Sequence, residues 1–226
     1  MTFLILFYLE CAVFYRQILL ALRMSAYVFH MELINNTSKT LKDDLSVEIK
    51  KGSKLSIAAA CFSIYAFQEL KKQLTSIEEL RFIFTSPTFV AEKTKKEKRE
   101  FYIPRLNRER SLYGTEFEIK LRNEMTQKAI AKECADWIKE KVTFKSNISD
   151  KTIQGQLVVD DTGYTPINNF TTVELGCEKG NVISTTIVKD QSLAQTLIRD
   201  FNEIWNDKKV LQEVTDEVVE SITAAY

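Results

Sequence analysis

Apolar residues recur with a helical or strand period along most of the chain after residue 36. Leu41, Leu45 and Ile49 follow candidate caps at residues 36–38, which predicts a helix ending at Gly52. A small apolar run at 55–60 predicts a buried strand, a helix then runs from residue 63 or 65 to 74, and residues 79–87 alternate as a second strand. This β–α–β order predicts an α/β fold, a mixed β-sheet flanked by helices.

The second half of the sequence continues the same alternation of helices and strands. Thr126 is the predicted cap of a helix, and Asp190 is the predicted cap of another. Strands are expected at 142–147, 156–161 and 181–190, with a turn at Gly163. We expect the apolar faces of the three helices to lie in the core, namely Ile130, Cys134, Trp137 and Ile138; Leu193, Leu197, Phe201, Ile204 and Trp205; and Val210, Val214, Val218 and Ile222.

Composition removes several classes of chemistry. The 226 residues have a formal net charge of zero, so any nucleic-acid binding must come from a local patch. There are only six glycines, and neither GxxxxGK[ST] nor GxGxxG occurs, so no nucleotide cofactor is expected. The single histidine is His30. Since Cys11, Cys61, Cys134 and Cys177 lack CxxC spacing, we expect buried thiols in a reducing cytosol rather than disulfides or a metal site.

Residues 1–30 form the most apolar stretch of the chain, interrupted by Glu10, Arg16 and Arg23. Three interpretations stay open. The chain could begin naturally at Met31, with the leader an upstream translation outside the fold. The leader could instead be a membrane-associated helix, because it is roughly long enough to span a bilayer, or a packed core helix. A membrane is an expected partner only if the leader is real.

Residues 91–124 interleave cations with aromatic side chains. Ten Lys and Arg stand against seven Glu, with most of the excess in the first two thirds. Cations contact phosphates and rings stack on bases, so the stretch is either a nucleic-acid-facing insertion or a solvated surface excursion. The candidate contacts are Lys95, Lys96, Lys98, Arg99, Arg105, Arg108 and Arg110.

Two phrases in the second half resemble a known superfamily. NNFT at 168–171 and FNEIWND at 201–207 are similar to segments that follow the His-x-Lys-x4-Asp strand of phospholipase D-like proteins. More narrowly, four phrases resemble the phospholipase D-like module at the N-terminus of bacterial superfamily-two helicases, namely SKTLKDDL, ELRFIFTSPTF, EKREFYIPRLNRERSLYGTEFEIKLRNE and FTTVELGCEKGN. The resemblance covers roughly residues 31–215. The resemblance implies a phospholipase D-like sheet, a domain at 31–215, and residues 216–226 as the start of a connection to a further region.

The sequence departs from the superfamily at its catalytic motif. Laid on His-x-Lys-x4-Asp, the chain has Gln154 for the histidine and Gln156 for the lysine, and only Asp161 matches. Glutamine is neither the nucleophile nor the cation that the reaction needs, so no catalytic residue and no metal ligand are predicted. Its amide can still donate to a phosphate oxygen. Asn169 and Thr171 are further candidate phosphate contacts.

These observations predict a catalytically degenerate module that binds or targets nucleic acid, normally in a cytoplasmic ATP-dependent helicase polypeptide. Because the superfamily builds its cleft from two halves, we expect a homodimer or a partner helicase module, with Trp137 or the basic stretch at the contact. An active phosphodiesterase with an atypical site and a protein-interaction module remain alternatives. Acid pairs such as Asp160 with Asp161, or Glu174 with Glu178, are weaker candidates for acid–base chemistry or Mg²⁺.

Overall fold

The computed structural model describes residues 31–86, 124–177 and 186–224. The chain divides into two units, Met1–His30 and Met31–Tyr226, and all described residues belong to the second. The strands are β1 (Glu32–Ile34), β2 (Lys54–Ala59), β3 (Glu79–Phe84), β4 (Val142–Asn147), β5 (Gln156–Val159), β6 (Thr162–Thr165), β7 (Ile187–Asp190) and β8 (Leu211–Glu213). The helices are α1 (Leu41–Glu48), α2 (Ile64–Glu69), α3 (Lys71–Leu74), α4 (Glu124–Lys141), α5 (Gln191–Trp205) and α6 (Thr215–Ala224).

Within the described ranges the strands form one mixed sheet in the order β1-β7-β6-β5-β2-β3-β4-β8. Strands β2, β3 and β4 run parallel to one another, and every other pair is antiparallel. The parallel strands are joined by helical crossovers, as parallel strands require. The predicted α/β fold with a mixed sheet flanked by helices is therefore confirmed.

The two faces of the sheet are covered unequally. Phe82 and Phe84 point into the larger core, which is closed by α1, α2, α4 and α6. Ile83 points to the other face, where Phe201 of α5 covers a smaller cluster. Val218 of α6 also lies in the larger core. No helix of the described ranges is long and apolar enough to cross a membrane.

Two predicted helix caps are confirmed. Ser63 accepts a hydrogen bond from the backbone N–H of Tyr65 at the start of α2, and Asp190 does the same for Ser192 in α5. Helix α1 is capped by Thr40 rather than by residues 36–38. The side chain of Asn36 nevertheless accepts from the N–H of Leu41, so it also satisfies a donor of the first turn.

Several predicted boundaries were wrong. Helix α1 ends at Glu48 and not at Gly52, which lies in the turn before β2. Helix α4 begins at Glu124, so Thr126 lies inside it. Val210 precedes strand β8 and not the last helix, because the next residues pair with β4. Gly163 lies in β6, and the turn falls before it. A Cβ at Gly163 would stand 2.8 Å from Leu197 Cδ1, so the glycine serves the close approach of α5.

Asp44 fixes α1 to the antiparallel half of the sheet. Its carboxylate is almost fully buried and lies 2.6 Å from Lys39 Nζ and 3.1 Å from Lys189 Nζ. The hydroxyl of Tyr164 donates to it at 2.7 Å. Burial alone raises the pKa of Asp44, but the three donors outweigh burial and hold the pKa below its usual value.

We expect Asp44→Asn to lower the free energy of unfolding by about 2–3 kcal/mol near neutral pH, because it removes the buried charge that accepts from Lys39, Lys189 and Tyr164. The difference from wild type should shrink below about pH 4, since a group whose pKa is lowered by folding stabilises only while it is ionised. Urea unfolding at several pH values measures both effects. Asp43→Asn, at an exposed neighbour, should change stability by under about 0.5 kcal/mol.

Candidate functional site

The candidate site lies at the carboxyl ends of the parallel strands. These strand ends form one edge of the sheet. Strands β2, β3 and β4 all reach this edge with their carboxyl ends, and antiparallel β5 begins there. Two hydrogen bonds place the motif segments at the same edge. Ala60 N–H donates to Asn168 O at 2.8 Å, and Ile167 N–H donates to Gly155 O at 3.1 Å. The structure therefore brings Gln154 and the NNFT segment to one end of β2.

The NNFT segment runs beside the end of β2. Phe170 N–H donates to Cys61 O, and Ser63 N–H donates to Phe170 O. The ring of Phe170 stacks on that of Phe62 at 5.8 Å inside the core. Phe170 thus anchors the segment in the core. Asn168 is exposed, and Asn169 and Thr171 are half-buried.

Asn169 and Thr171, the predicted phosphate contacts, are both half-buried. The Asn169 Oδ1 atom accepts from the thiol of Cys61 at 2.8 Å. The Thr171 Oγ1 atom accepts from Glu174 N–H at 3.4 Å, and the Thr171 carbonyl accepts from Leu175 N–H. Thr171 therefore begins a turn.

The two glutamines of the degenerate motif have different environments. Gln154 is exposed, whereas Gln156 is buried and donates from Nε2 to Leu197 O of α5 at 2.9 Å. Gly155 between them permits close packing, because a Cβ there would stand 1.7 Å from Ile167 O. Only Gln154 presents its side chain to solvent, and the amide of Gln156 fastens a helix to the sheet.

Asp161 lies at the opposite end of β5 from Gln154. The exposed pair Asp160 and Asp161 forms the turn between β5 and β6. Asp160 Oδ1 accepts from the N–H of Lys54 at the start of β2. Seven residues of extended chain span about 20 Å, so the structure does not bring Asp161 together with Gln154.

Glu174 supports the site through the backbone. Its Oε1 atom accepts from Asn168 N–H at 3.1 Å. Burial raises the pKa of Glu174, and the bond from Asn168 opposes that rise. Glu178, its proposed partner in an acid pair, lies outside the described residues. Glu174 therefore acts as a brace for the NNFT segment.

Asn147 at the end of β4 was missed by the sequence analysis. It is buried and donates from Nδ2 to Thr85 O at 3.0 Å and to Lys151 O at 2.8 Å. Its Oδ1 atom accepts from Ser149. Asn147 therefore fixes the point where the chain leaves β3 towards the basic stretch.

The predicted contacts in that stretch, Lys95, Lys96, Lys98, Arg99, Arg105, Arg108 and Arg110, lie outside the described residues.

Helix α5 is attached to the sheet partly by cations. Arg81 lies 5.1 Å from the ring centre of Phe201 and donates to Asn202 Oδ1 at 2.8 Å. Lys145 Nζ lies 4.3 Å from the ring centre of Trp205 and donates to its carbonyl. Burial lowers the pKa of both cations. Phe201 is in the core as predicted, whereas Trp205 is only half-buried.

Trp137 cannot supply the contact between copies that the sequence analysis considered. Its side chain is 5% exposed, and Nε1 donates to Leu74 O at 2.8 Å. The ring packs on Phe67 at 4.7 Å. Cys134 is fully buried in the same core, and burial raises the pKa of its thiol. Both residues therefore serve packing, as their helical spacing predicts.

The described part of the edge offers neutral hydrogen-bonding groups. Gln154 and Asn169 carry amide donors, which can bind a phosphate oxygen without transferring a proton. Covalent phosphoryl transfer by the superfamily's route needs an imidazole at position 154. His30 lies outside the described residues. Among the described groups at this edge, the amides of Gln154 and Asn169 are neutral hydrogen-bond donors.

No protein-family model and no curated protein matches the sequence. The chain is similar to the archaeal chromatin protein TrmBL2, whose structure shows a novel mode of DNA binding, with 14% identity, a TM-score of 0.39, and coverage of 88% of this chain and 62% of that one. It is also similar to phosphatidylserine synthase from Haemophilus influenzae Rd KW20, with 11% identity, a TM-score of 0.43, and coverage of 83% and 40%. The chain spans less than two thirds of either structure, and both likenesses are too distant to assign a family or a function.

The two glutamines should respond differently to truncation. We expect Gln156→Ala to lower the free energy of unfolding by about 1–2 kcal/mol, because the buried carbonyl of Leu197 loses a donor. Gln154→Ala, at an exposed position, should stay within about 0.5 kcal/mol of wild type. Urea unfolding followed by circular dichroism measures both. Equal effects would show that Gln156 does not fasten α5.

Proposed function

We propose that this protein is a catalytically inactive phospholipase D-like module that binds nucleic acid. The observation that carries the proposal is the state of the motif positions. Gln156 gives its amide to Leu197 O of α5, and Gln154 has no group that can attack phosphorus. The lysine position therefore serves the fold, and the histidine position retains only hydrogen bonding.

The resemblance of the NNFT and FNEIWND phrases to phospholipase D-like proteins supports the choice of superfamily. The edge where β2 ends supports the choice of ligand, since Gln154 and Asn169 both carry amide donors there. Neutral amides alone bind phosphate weakly, because charge-assisted hydrogen bonds are about twice as strong. Most of the affinity must come from cations elsewhere in the chain.

The basic stretch supplies those cations in our proposal. It follows β3, whose carboxyl end lies at the same edge as Gln154. Its candidate contacts are Lys95, Lys96, Lys98, Arg99, Arg105, Arg108 and Arg110. Cations that contact phosphates release counterions, so the affinity should fall with salt.

The wider setting is also part of the proposal. We propose that the module comprises residues 31–215, that residues 216–226 lead to a further region, and that the intact polypeptide is a bacterial helicase of the cytoplasm. Pairing with a second copy or with a helicase module would complete the two-half cleft of the superfamily. The leader at residues 1–30 would lie outside this module.

Binding and cleavage are separated by one experiment on the full chain. Labelled single-stranded and double-stranded DNA and RNA are incubated with the protein at low salt, with and without EDTA, and run on native and denaturing gels. We expect a mobility shift and intact strands. Cleavage that is abolished by Gln154→Ala would instead establish an atypical phosphodiesterase. Absence of any shift would leave a protein-interaction module.

Reversing charge in the basic stretch should weaken binding in a salt-dependent way. We expect the triple variant Lys95→Glu, Lys96→Glu, Lys98→Glu to reduce the slope of log Kd against log salt by about two on a single strand, at about 0.7 per phosphate contact. Fluorescence anisotropy titrations at several salt concentrations measure the slope.

The matched control reverses three exposed lysines of α4, Lys128, Lys132 and Lys139. It makes the same change in net charge at positions outside the basic stretch. We expect it to leave the slope within about half a unit of wild type. Equal losses in both triple variants would mean that overall charge, and not the basic stretch, controls binding.

A further inference from the structure

Asn169 has one side-chain atom engaged and one open. Its Oδ1 atom accepts from the Cys61 thiol at 2.8 Å. Across the described ranges, no group accepts from its Nδ2 atom. The residue is half-buried at the edge of the sheet, so its amide N–H groups remain available to a ligand.

The thiol determines which end of the amide faces the ligand. A thiol is a donor and only a weak acceptor, so it favours Oδ1 over Nδ2 as its neighbour. Both residues sit on a fixed backbone frame, because Phe170 N–H donates to Cys61 O and Ala60 N–H donates to Asn168 O. If the amide were turned over, the N–H groups of Asn169 would face the S–H of Cys61, whose sulfur is only a weak acceptor.

The outward N–H groups match an oxygen acceptor. Phosphate oxygens accept hydrogen bonds from the amides of Asn and Gln in nucleic-acid complexes. Gln154 is an exposed second amide, and Gly155 after it is joined to Ile167 of the chain that leads into Asn169. Two neutral donors therefore stand at the end of β2.

We propose that Cys61 is a positioning residue, whose thiol orients Asn169 to donate to a phosphodiester oxygen of a bound nucleic acid. This inference rests on the binding function proposed above and adds a particular pair of residues to it. Cys61 does not touch the ligand and acts only through Asn169. Its buried position beneath Asn169 suits that role, since its side chain is 6% exposed.

A double-mutant cycle on the full chain tests the pair. The affinity for a labelled oligonucleotide is measured by anisotropy for wild type, Cys61→Ala, Asn169→Ala and the double variant. We expect each single variant to weaken binding about three- to tenfold, the effect of one hydrogen bond. The double variant should bind no more weakly than Asn169→Ala, because the thiol acts through the amide. Multiplied losses would overturn the proposal.

Rescue distinguishes orientation from packing. Cys61→Ser keeps an O–H donor and should bind within about twofold of wild type. A loss as large as that of Cys61→Ala would overturn the proposal. Cys134→Ala is the control, since this cysteine is fully buried in the core away from the site. It should lower stability and leave the affinity of the folded protein unchanged.

If Cys61→Ala fails to fold, Cys61→Ser carries the test of the thiol, and Asn169→Asp tests the amide donor. Aspartate preserves the acceptor for the thiol but lacks N–H groups and repels phosphate, so affinity should fall more than about tenfold. Normal binding by Asn169→Asp or Asn169→Ala would overturn the inference and leave binding through the basic stretch intact. Absence of binding by wild type would overturn both proposals.

Discussion

The buried carboxylate of Asp44 is the interaction on which the antiparallel half of the structure depends. It gathers Lys39 from the segment before α1, Lys189 from β7 and Tyr164 from β6. A carboxylate this far from water is tolerable only when its lone pairs are filled by donors. Strands β6 and β7 and helix α1 must therefore keep one arrangement. A shift in the register of either strand would expose the Asp44 carboxylate to water or leave it without its donors.

The same constraint reaches the candidate site. Asp44 holds helix α1 in place, and the N–H of Lys42 in this helix donates to the Leu175 carbonyl. Asn36, which precedes the helix, donates to the Glu174 carbonyl. The loop that follows NNFT is thus attached to α1 at one end and to β2 at the other. The NNFT segment therefore precedes a loop that is hydrogen-bonded to α1, and it is itself hydrogen-bonded to the end of β2.

Sequence periodicity predicted the features that depend on residues close together in the chain. These are the alternation of helices and strands that gives the fold class, the caps at Ser63 and Asp190, and the core position of Trp137. The remainder depends on contacts between distant residues. Gly163 reads as a turn, yet it is a strand glycine required by the side chain of Leu197. Asn147 reads as an ordinary polar strand end, yet it joins β3 to the loop before β5. At the candidate site, the sequence analysis named Gln154 and Asn169 as candidates and treated Cys61 only as a buried thiol, whereas the hydrogen bond from Cys61 to Asn169 joins residues 108 positions apart.

Gln156 is buried, and a side-chain hydrogen bond joins it to α5. A cation at this position would have to be buried against Val158 and α5, where charge is costly unless it is paired. The neutral amide of Gln156 donates to the Leu197 carbonyl from this strand position and so joins α5 to the sheet. The residue at position 156 therefore stabilises the contact between the sheet and α5.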